Sequence, residues 1–301
     1  MGVKRASVRD NGVMQDARKR LIFDTSGLNA LADDAESNHL AKSLGIGFQV
    51  RISETSLSEI GACSRAERRG QLLALCRHLV HAGECIRPYN WIIGELTKSH
   101  ASNPARFDWK ALDIRGRELE DELTRPEFLG TDGLAEETSA DFEAKSEDFE
   151  AVYRDARPIF DAIVEGRERE RPPISEFITA LKADSGSLWH LCGGVYSRGC
   201  GKEMDIPAMR VFVDACPPFN AMMLGLCVAL FDRCVRHVRA RADYRAGWLD
   251  LLAGAYLPYC DRFITNDGGQ RNSLAVVAAE ADLATTICTF AEFKRGLTVL
   301  V

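Results

Sequence analysis

Short apolar runs, each about the length of a buried strand, stand near the two ends of this 301-residue chain. The first two runs are Leu21–Phe23 and Phe48–Ile52, and the last two are Phe263–Thr265 and Thr286–Thr289. Helical patterns separate the runs within each pair. The continuous run Leu21–Phe23 suits a strand that is buried on both faces, and strands that alternate with helices form parallel sheets. The sequence therefore predicts an α/β protein with a Rossmann-like parallel sheet flanked by helices.

The middle of the chain shows almost no strand signal. Helical patterns such as QLLALCRHLV and AMMLGLCVALFDRC dominate it, and breaks fall at NPARF and RERERPP. We therefore expect an α/β core made of residues 19–66 and 243–301, interrupted by an all-helical insertion over residues 67–242. We expect this insertion to pack as a cap over one edge of the sheet, and residues 1–18 to form a disordered leader.

The composition favours a soluble protein with no membrane partner. Apolar residues make up 46% and charged residues 27% of the chain, and no run of about 18 apolar residues occurs. The net charge of −6 means that a nucleic-acid partner would need a local basic patch. Ten cysteines without a Cys-x-x-Cys pair, and without an apolar secretory segment, indicate reduced thiols in a cytoplasmic protein rather than disulfides or a zinc site.

Several acidic residues share one position relative to the predicted strands. Asp24 ends the first strand, and Glu59 lies in the helix after the second. Asp250 lies near the start of a helix that Pro258 ends, and Asp267 follows the third strand. Each residue alone also has an ordinary explanation as a turn, a helix cap or an exposed helical residue. Their shared placement is what indicates a common site.

The carboxyl ends of parallel strands meet at one edge of a sheet, where active sites usually form. Four carboxylates brought together there would repel one another unless a divalent cation lay between them. An all-oxygen set of ligands suits Mg²⁺ or Mn²⁺ rather than zinc. Glu54 is an alternative to Glu59 in this set, and Asp261, just before the third strand, is a further candidate ligand.

The segments that carry these acids resemble the PIN-domain family of metal-dependent nucleases. LIFDTSGLNAL is similar to the family's opening strand, with Asp24 as its acidic residue. ISETSLSEIG resembles the second block and aligns the family's glutamate with Glu59 rather than Glu54. LDLLAGAYLPYCDRFITNDGG resembles the last two blocks joined, with acidic residues at Asp250 and Asp267. The resemblance covers about a third of the chain, and the long insertion departs from the family pattern.

The resemblance implies a divalent-metal-dependent nuclease that hydrolyses phosphodiester bonds, in RNA more often than in DNA. The four carboxylates would be the metal ligands and the catalytic residues, with Mg²⁺ or Mn²⁺ as the cofactor. Asp261 fits an aspartate often seen before the last block's strand. Ser26 and Thr265 would orient ligands or contact phosphate.

A basic strip precedes the Asp250 helix, and Arg236 and Arg239 in it are candidates for contacts with nucleic acid. An ordinary solvated helix face would give the same pattern. A non-catalytic PIN-like module, whose insertion binds a protein partner, remains an alternative, as does the toxin component of a toxin–antitoxin pair. A haloacid-dehalogenase phosphatase is disfavoured because Ser26 stands where a second aspartate is required, and a dinucleotide enzyme because no G-x-G-x-x-G follows the first strand.

Overall fold

The fold is that of a computed structural model. It describes residues 18–81, 83–124, 173–183, 187–234 and 249–297, together with residues 153, 154, 157, 158 and 161.

A parallel sheet forms the centre of the molecule. Its strands are β1 (Lys19–Phe23), β2 (Phe48–Ser53), β3 (Glu84–Ile86), β4 (Arg262–Ile264) and β5 (Thr286–Cys288). The five strands lie in the order β3-β2-β1-β4-β5, and every pair is parallel. The prediction of an α/β fold is therefore confirmed. The order reverses direction between β1 and β4, which defines the switch point of a doubly wound sheet.

Helices flank this sheet on both faces. In chain order they are α1 (Thr25–Asp33), α2 (Ser37–Gly47), α3 (Glu54–Gly61), α4 (Ala66–His81), α5 (Tyr89–Ser102), α6 (Arg117–Thr124), α7 (Ile174–Ala183), α8 (Ser187–Cys200), α9 (Ile206–Ala215), α10 (Pro217–Cys234), α11 (Leu249–Leu252), α12 (Gly268–Glu280) and α13 (Phe290–Leu297). Short 3-10 helices span Pro104–Arg106, Trp109–Ala111 and Ala253–Tyr259.

The apolar run in β1 is buried on both faces, as a continuous apolar strand requires. Leu21 and Phe23 are fully buried in a core shared with α1 to α4 and α13. Ile22 points to the opposite face and packs in a second core shared with α5 and with α7 to α12. Alternation along an extended strand sends successive side chains to opposite faces, so one short run contributes to both cores.

One part of the predicted insertion belongs to the sheet. The expectation that residues 67–242 are all helical is wrong at β3, which pairs with β2 in parallel. All three residues of β3 are buried, and a strand this short gives no periodic signal in the sequence. The helix after β2 also ends at Gly61, and residues 62–65 separate it from α4. Helix α4 then packs against α1, α2 and β2, so it forms part of the core layer.

The later helices of the predicted insertion share one core with the sheet. Helix α10 is buried on all sides from Ala221 to Phe231, and it packs against α11, α12 and the 3-10 helix Ala253–Tyr259. The 3-10 helix and α10 approach each other closely at Gly254, where a Cβ would lie 2.6 Å from the carbonyl oxygen of Ala221. Helices α7 to α10 thus cover one face of the sheet and support the segment that carries Asp250.

No single helix in the described parts of the chain is long and apolar enough to cross a membrane. The bent pair Ile206–Ala215 and Pro217–Asp232, at 107°, passes the same criteria of length and composition only when its two helices are taken together. Most of the second helix in this pair is buried among other helices, which is how the core helix of a globular domain also behaves.

Candidate active site

Asp24 lies at the carboxyl end of β1 and starts helix α1. Its Oδ1 accepts a hydrogen bond of 2.6 Å from the backbone N–H of Gly27, so the side chain caps the helix. The Ser26 hydroxyl lies 2.9 Å from Oδ1 and 3.0 Å from Oδ2. Helix α1 comes very close to β4 here, since a Cβ at Gly27 would lie 2.5 Å from the carbonyl oxygen of Ile264. Glycine therefore permits the contact that brings Asp24 to β4.

Asp267 follows β4 and starts helix α12 in the same way. Its Oδ1 accepts a hydrogen bond of 2.8 Å from the backbone N–H of Gln270. The backbone N–H of Asp267 lies 3.1 Å from the Ser26 hydroxyl and 3.1 Å from the Thr265 hydroxyl. The Ser26 and Thr265 hydroxyls are themselves 3.1 Å apart. Ser26 thus connects the end of β1 to the end of β4 and fixes the two carboxylate-bearing turns relative to each other.

Glu59 reaches the same place from helix α3. The Thr25 hydroxyl donates a hydrogen bond to Oε2 of Glu59, which joins the first residue of α1 to α3. Glu54, the alternative ligand, lies five residues earlier, in the first turn of α3. Glu59 interacts electrostatically with both Asp24 and Asp250.

Asp250 comes from α11, far along the chain from the other elements. Its backbone carbonyl accepts a hydrogen bond of 3.3 Å from Nε2 of Gln270, whose Oε1 in turn accepts one of 2.6 Å from the Thr265 hydroxyl. Gln270 is buried and so links α11 to the turn after β4. The half-buried carboxylate of Asp250 receives no hydrogen bond from any residue in the described ranges.

Burial and neighbouring carboxylates raise the pKa values of Asp24, Glu59 and Asp250. Burial raises the pKa of Asp250 well above its usual range, and the charges of Glu59, Asp24 and Asp267 raise it further. Burial also raises the pKa of Asp24, opposed by hydrogen bonds from Gly27, Thr265 and Ser26. The pKa of Glu59 rises for the same reason, opposed by the bond from Thr25. Within the described residues, none of the four pairs with a lysine, arginine or histidine.

This acidic cluster, consisting of Asp24, Glu59, Asp250 and Asp267, occupies the carboxyl edge of the sheet at its switch point. Asp24 ends β1 and Asp267 follows β4, and these two strands are neighbours. Ligands of doubly wound proteins bind in the crevice at such a point. Residues 266–269 are exposed, so the cluster is open on this side. The arrangement concentrates negative charge without a matching cation from the described chain.

The donor atoms of the acidic cluster fit a hard divalent cation, because all of them are carboxylate oxygens. The side chains are nevertheless not assembled as a ligand set: in the part of the chain that the structure describes, no group of three or more His, Cys, Asp or Glu side chains is arranged to hold a metal ion. A cation would therefore have to draw these carboxylates together.

Asp261 lies apart from the acidic cluster. Asp261, the further candidate ligand, lies before β4 at the amino edge of the sheet, and its Oδ2 accepts a hydrogen bond of 2.7 Å from the backbone N–H of Arg20. It also forms an ion pair with the Arg20 guanidinium at 3.3 Å. Its assignment as a ligand is therefore wrong.

Arg236 and Arg239, the candidate nucleic-acid contacts, lie outside the described residues.

Three residues of the site were not identified from the sequence. Thr25 and Gly27 owe their importance to contacts with α3 and β4, which no local pattern reveals. Gln270 did carry a signal, because Asp267-Gly-Gly-Gln270 has the spacing of a capping box. Its side chain here turns to Thr265 and Asp250 instead of the cap backbone.

No protein-family model matches the chain, and the searches of curated proteins and of solved structures also gave no match. The class of protein is defined here by its fold and its site alone. The chain is an α/β protein with a doubly wound parallel sheet and an acidic cluster at the switch point.

Proposed function

We propose that the protein is a nuclease that depends on a divalent cation, Mg²⁺ or Mn²⁺, and hydrolyses phosphodiester bonds. The observation that carries this proposal is the acidic cluster, whose carboxylates interact electrostatically and have no cationic side chain beside them among the described residues. A cluster of like charges costs free energy of folding, and such clusters are found mainly at sites whose function uses the charge. The resemblance of the same segments to PIN domains supports the same function.

The residues of the acidic cluster would bind the cation, and neighbouring hydroxyl groups would orient them. Asp24, Glu59, Asp250 and Asp267 would hold the cation, which when bound stabilises negative charge on a phosphodiester and activates water. Ser26 fixes the orientation of the Asp24 carboxylate through its hydroxyl, and Thr25 does so for Glu59. These hydrogen bonds come from short side chains on α1, so the geometry of two ligands depends on one helix terminus.

The surroundings of Asp267 favour a phosphate-bearing substrate. Gly268 and Gly269 form the first turn of α12, and both are exposed beside the cluster. No atom of another described residue lies within 4 Å of a Cβ built on Gly268, so a ligand can approach the backbone closely on this side. Backbone N–H groups at a helix N-terminus attract phosphate oxygens. RNA is the preferred substrate class in this proposal because it is the class implied by the PIN resemblance.

A non-catalytic interaction module is the second candidate function. The observation in its favour is that the carboxylates are not arranged as a metal-ligand set in the described residues. In that case the helices between β3 and β4 would bind a protein partner, as in a toxin with its antitoxin. The two candidates differ in whether a cation changes the protein's chemistry.

The test is a cleavage assay on the purified full chain with labelled single-stranded RNA and DNA, in Mg²⁺, Mn²⁺ or EDTA. We expect cleavage with either cation, none with EDTA, and none from Asp24→Asn with either cation. The matched control is Asp261→Asn, which changes a carboxylate at the opposite edge of the sheet and should cleave normally. Absence of cleavage of both substrates, or cleavage by Asp24→Asn at the wild-type rate, would exclude the nuclease proposal.

A further inference from the structure

A cavity of about 250 Å³ lies among the helices on one face of the sheet. Residues from α7, α8, α9 and α10 line it, and none of them belongs to the acidic cluster. Its wall is partly apolar, with Leu188, Val213 and Leu224 among the lining residues, and it also includes an indole and several charged groups. Pockets that combine apolar walls with a few polar groups are the usual form of small-molecule sites.

Trp189 forms part of the cavity wall and is 8% exposed. The Arg210 guanidinium lies over the Trp189 ring, 4.8 Å from its centroid, which is the arrangement of a cation–π contact. This contact holds the positive charge of Arg210 beside the cavity.

Two charged residues that line the cavity indicate the class of ligand. Arg210 and Asp214 stand one helical turn apart on α9, both are exposed, and neither forms a hydrogen bond or ion pair with another residue in the described ranges. The third charged residue, Lys182, already has partners in Glu280, with the carbonyl oxygen at 3.2 Å and Oε2 at 3.7 Å. The lining therefore offers one positive and one negative group that can pair with a ligand.

The volume limits the size of the ligand. A cavity of about 150 Å³ holds benzene, so the same packing places roughly ten non-hydrogen atoms in this one. A simple anion of that size would be repelled by Asp214, and a neutral apolar molecule would leave both charges without partners. A ligand with a carboxylate, an ammonium group and a short apolar chain complements the whole lining.

We propose that this cavity binds a small apolar zwitterion of the free α-amino-acid class. The carboxylate pairs with Arg210, while the ammonium pairs with Asp214. The apolar chain lies against Leu188 and Val213. This site is separate from the acidic cluster, and its function does not require nuclease activity.

Isothermal titration calorimetry on the full chain tests the proposal with three probes of one skeleton. L-leucine carries both charges, 4-methylpentanoate lacks the ammonium group, and 3-methylbutylamine lacks the carboxylate. We expect L-leucine to bind and each singly charged analogue to bind at least about tenfold more weakly, since each leaves a charged group without its partner. No binding of L-leucine at millimolar concentration, or equal binding of any two probes, would overturn the proposal.

Variants assign the binding to this cavity. Arg210→Met and Asp214→Asn should each weaken L-leucine binding at least about tenfold. Neither should reduce helicity, because both residues are exposed. The matched control is Arg198→Met, since Arg198 is an exposed arginine on α8 that does not line the cavity. Unchanged affinity in both cavity variants would overturn the assignment, as would an equal loss in the control.

Discussion

Replacing Asp250 with asparagine should stabilise the metal-free protein at neutral pH. Burial and the charges of Glu59, Asp24 and Asp267 raise the pKa of Asp250 well above its usual range. A carboxyl group whose pKa is higher in the folded state than in the unfolded state destabilises the fold wherever the unfolded chain would lose the proton. The asparagine amide removes this penalty and sacrifices no hydrogen bond among the described residues.

The size of the effect follows from the relation between pKa and free energy. Each unit of difference between the folded and unfolded pKa corresponds to about 1.4 kcal/mol. Asp250 is half-buried, so solvent screens part of the repulsion, and we expect a net stabilisation of about 1–2 kcal/mol. In a chain of this length, each kcal/mol of stabilisation raises Tm by an amount near the lower end of about 2–4 °C. We therefore expect Tm to rise by a few degrees. Most point substitutions instead destabilise, by about 1 kcal/mol.

The pH dependence of stability tests independently whether Asp250→Asn is stabilising. Below the unfolded pKa of about 3.9, aspartic acid is protonated in both states and the substitution should change stability little. As pH rises above that value, the unfolded chain loses the proton first, so the wild type loses stability that Asp250→Asn keeps. The difference between the two proteins should grow until pH passes the raised pKa of Asp250 and should stay constant above it.

Urea denaturation in EDTA, followed by circular dichroism at several pH values, measures this difference. The matched control is Asp214→Asn, which changes an exposed helical aspartate that has no hydrogen bond or ion pair with the described residues. We expect no pH-dependent gain in the control. If Asp250→Asn is less stable than the wild type at pH 7, or if its gain is the same at pH 4 and pH 7, the assignment of like-charge repulsion to this cluster is wrong.

The remaining predictions concern the two edges of the sheet. Gly27→Ala should cost about 1–3 kcal/mol in urea denaturation, since its Cβ would lie 2.5 Å from the carbonyl oxygen of Ile264; an unchanged midpoint would refute this close approach. Asp24→Asn and Asp267→Asn should stop cation-dependent cleavage with Tm little changed, because asparagine also caps helices; wild-type cleavage rates would remove both from the mechanism. Asp261→Asn should lose about 0–1 kcal/mol and cleave normally, because its ion pair with arginine is exposed; lost cleavage would place it in the site.

Much of the sheet could be predicted because its strands are short, rich in apolar residues and closely followed by capping residues. Asp24, Ser53 and Asp267 each follow or close a strand and cap the next helix, so the local sequence marks both the strand end and the sheet edge. The β3 strand could not be predicted in this way. Its three residues are too few to show a period, and a long helix precedes it.

The acidic residues of the site could be predicted better than the hydrogen bonds that hold them in place. The position of an acid after a strand places it at the carboxyl edge, which is why Asp24 and Asp267 were found. The same rule places Asp261, which precedes β4, at the opposite edge, away from the other candidate ligands. The Ser26 contact with Asp267 spans 241 positions, and it depends on β1 and β4 being neighbours in the sheet.

Binding of Mn²⁺ tests the central claim most directly, because the acidic cluster is proposed to hold a divalent cation. The measurement is an Mn²⁺ titration followed by electron paramagnetic resonance, on the wild type, Asp250→Asn and Asp261→Asn. We predict that the wild type and Asp261→Asn bind Mn²⁺ equally and that Asp250→Asn binds it at least about tenfold more weakly, since a hard cation prefers a charged oxygen to an amide. Failure of the wild type to bind Mn²⁺, or equal binding by Asp250→Asn, would contradict the account.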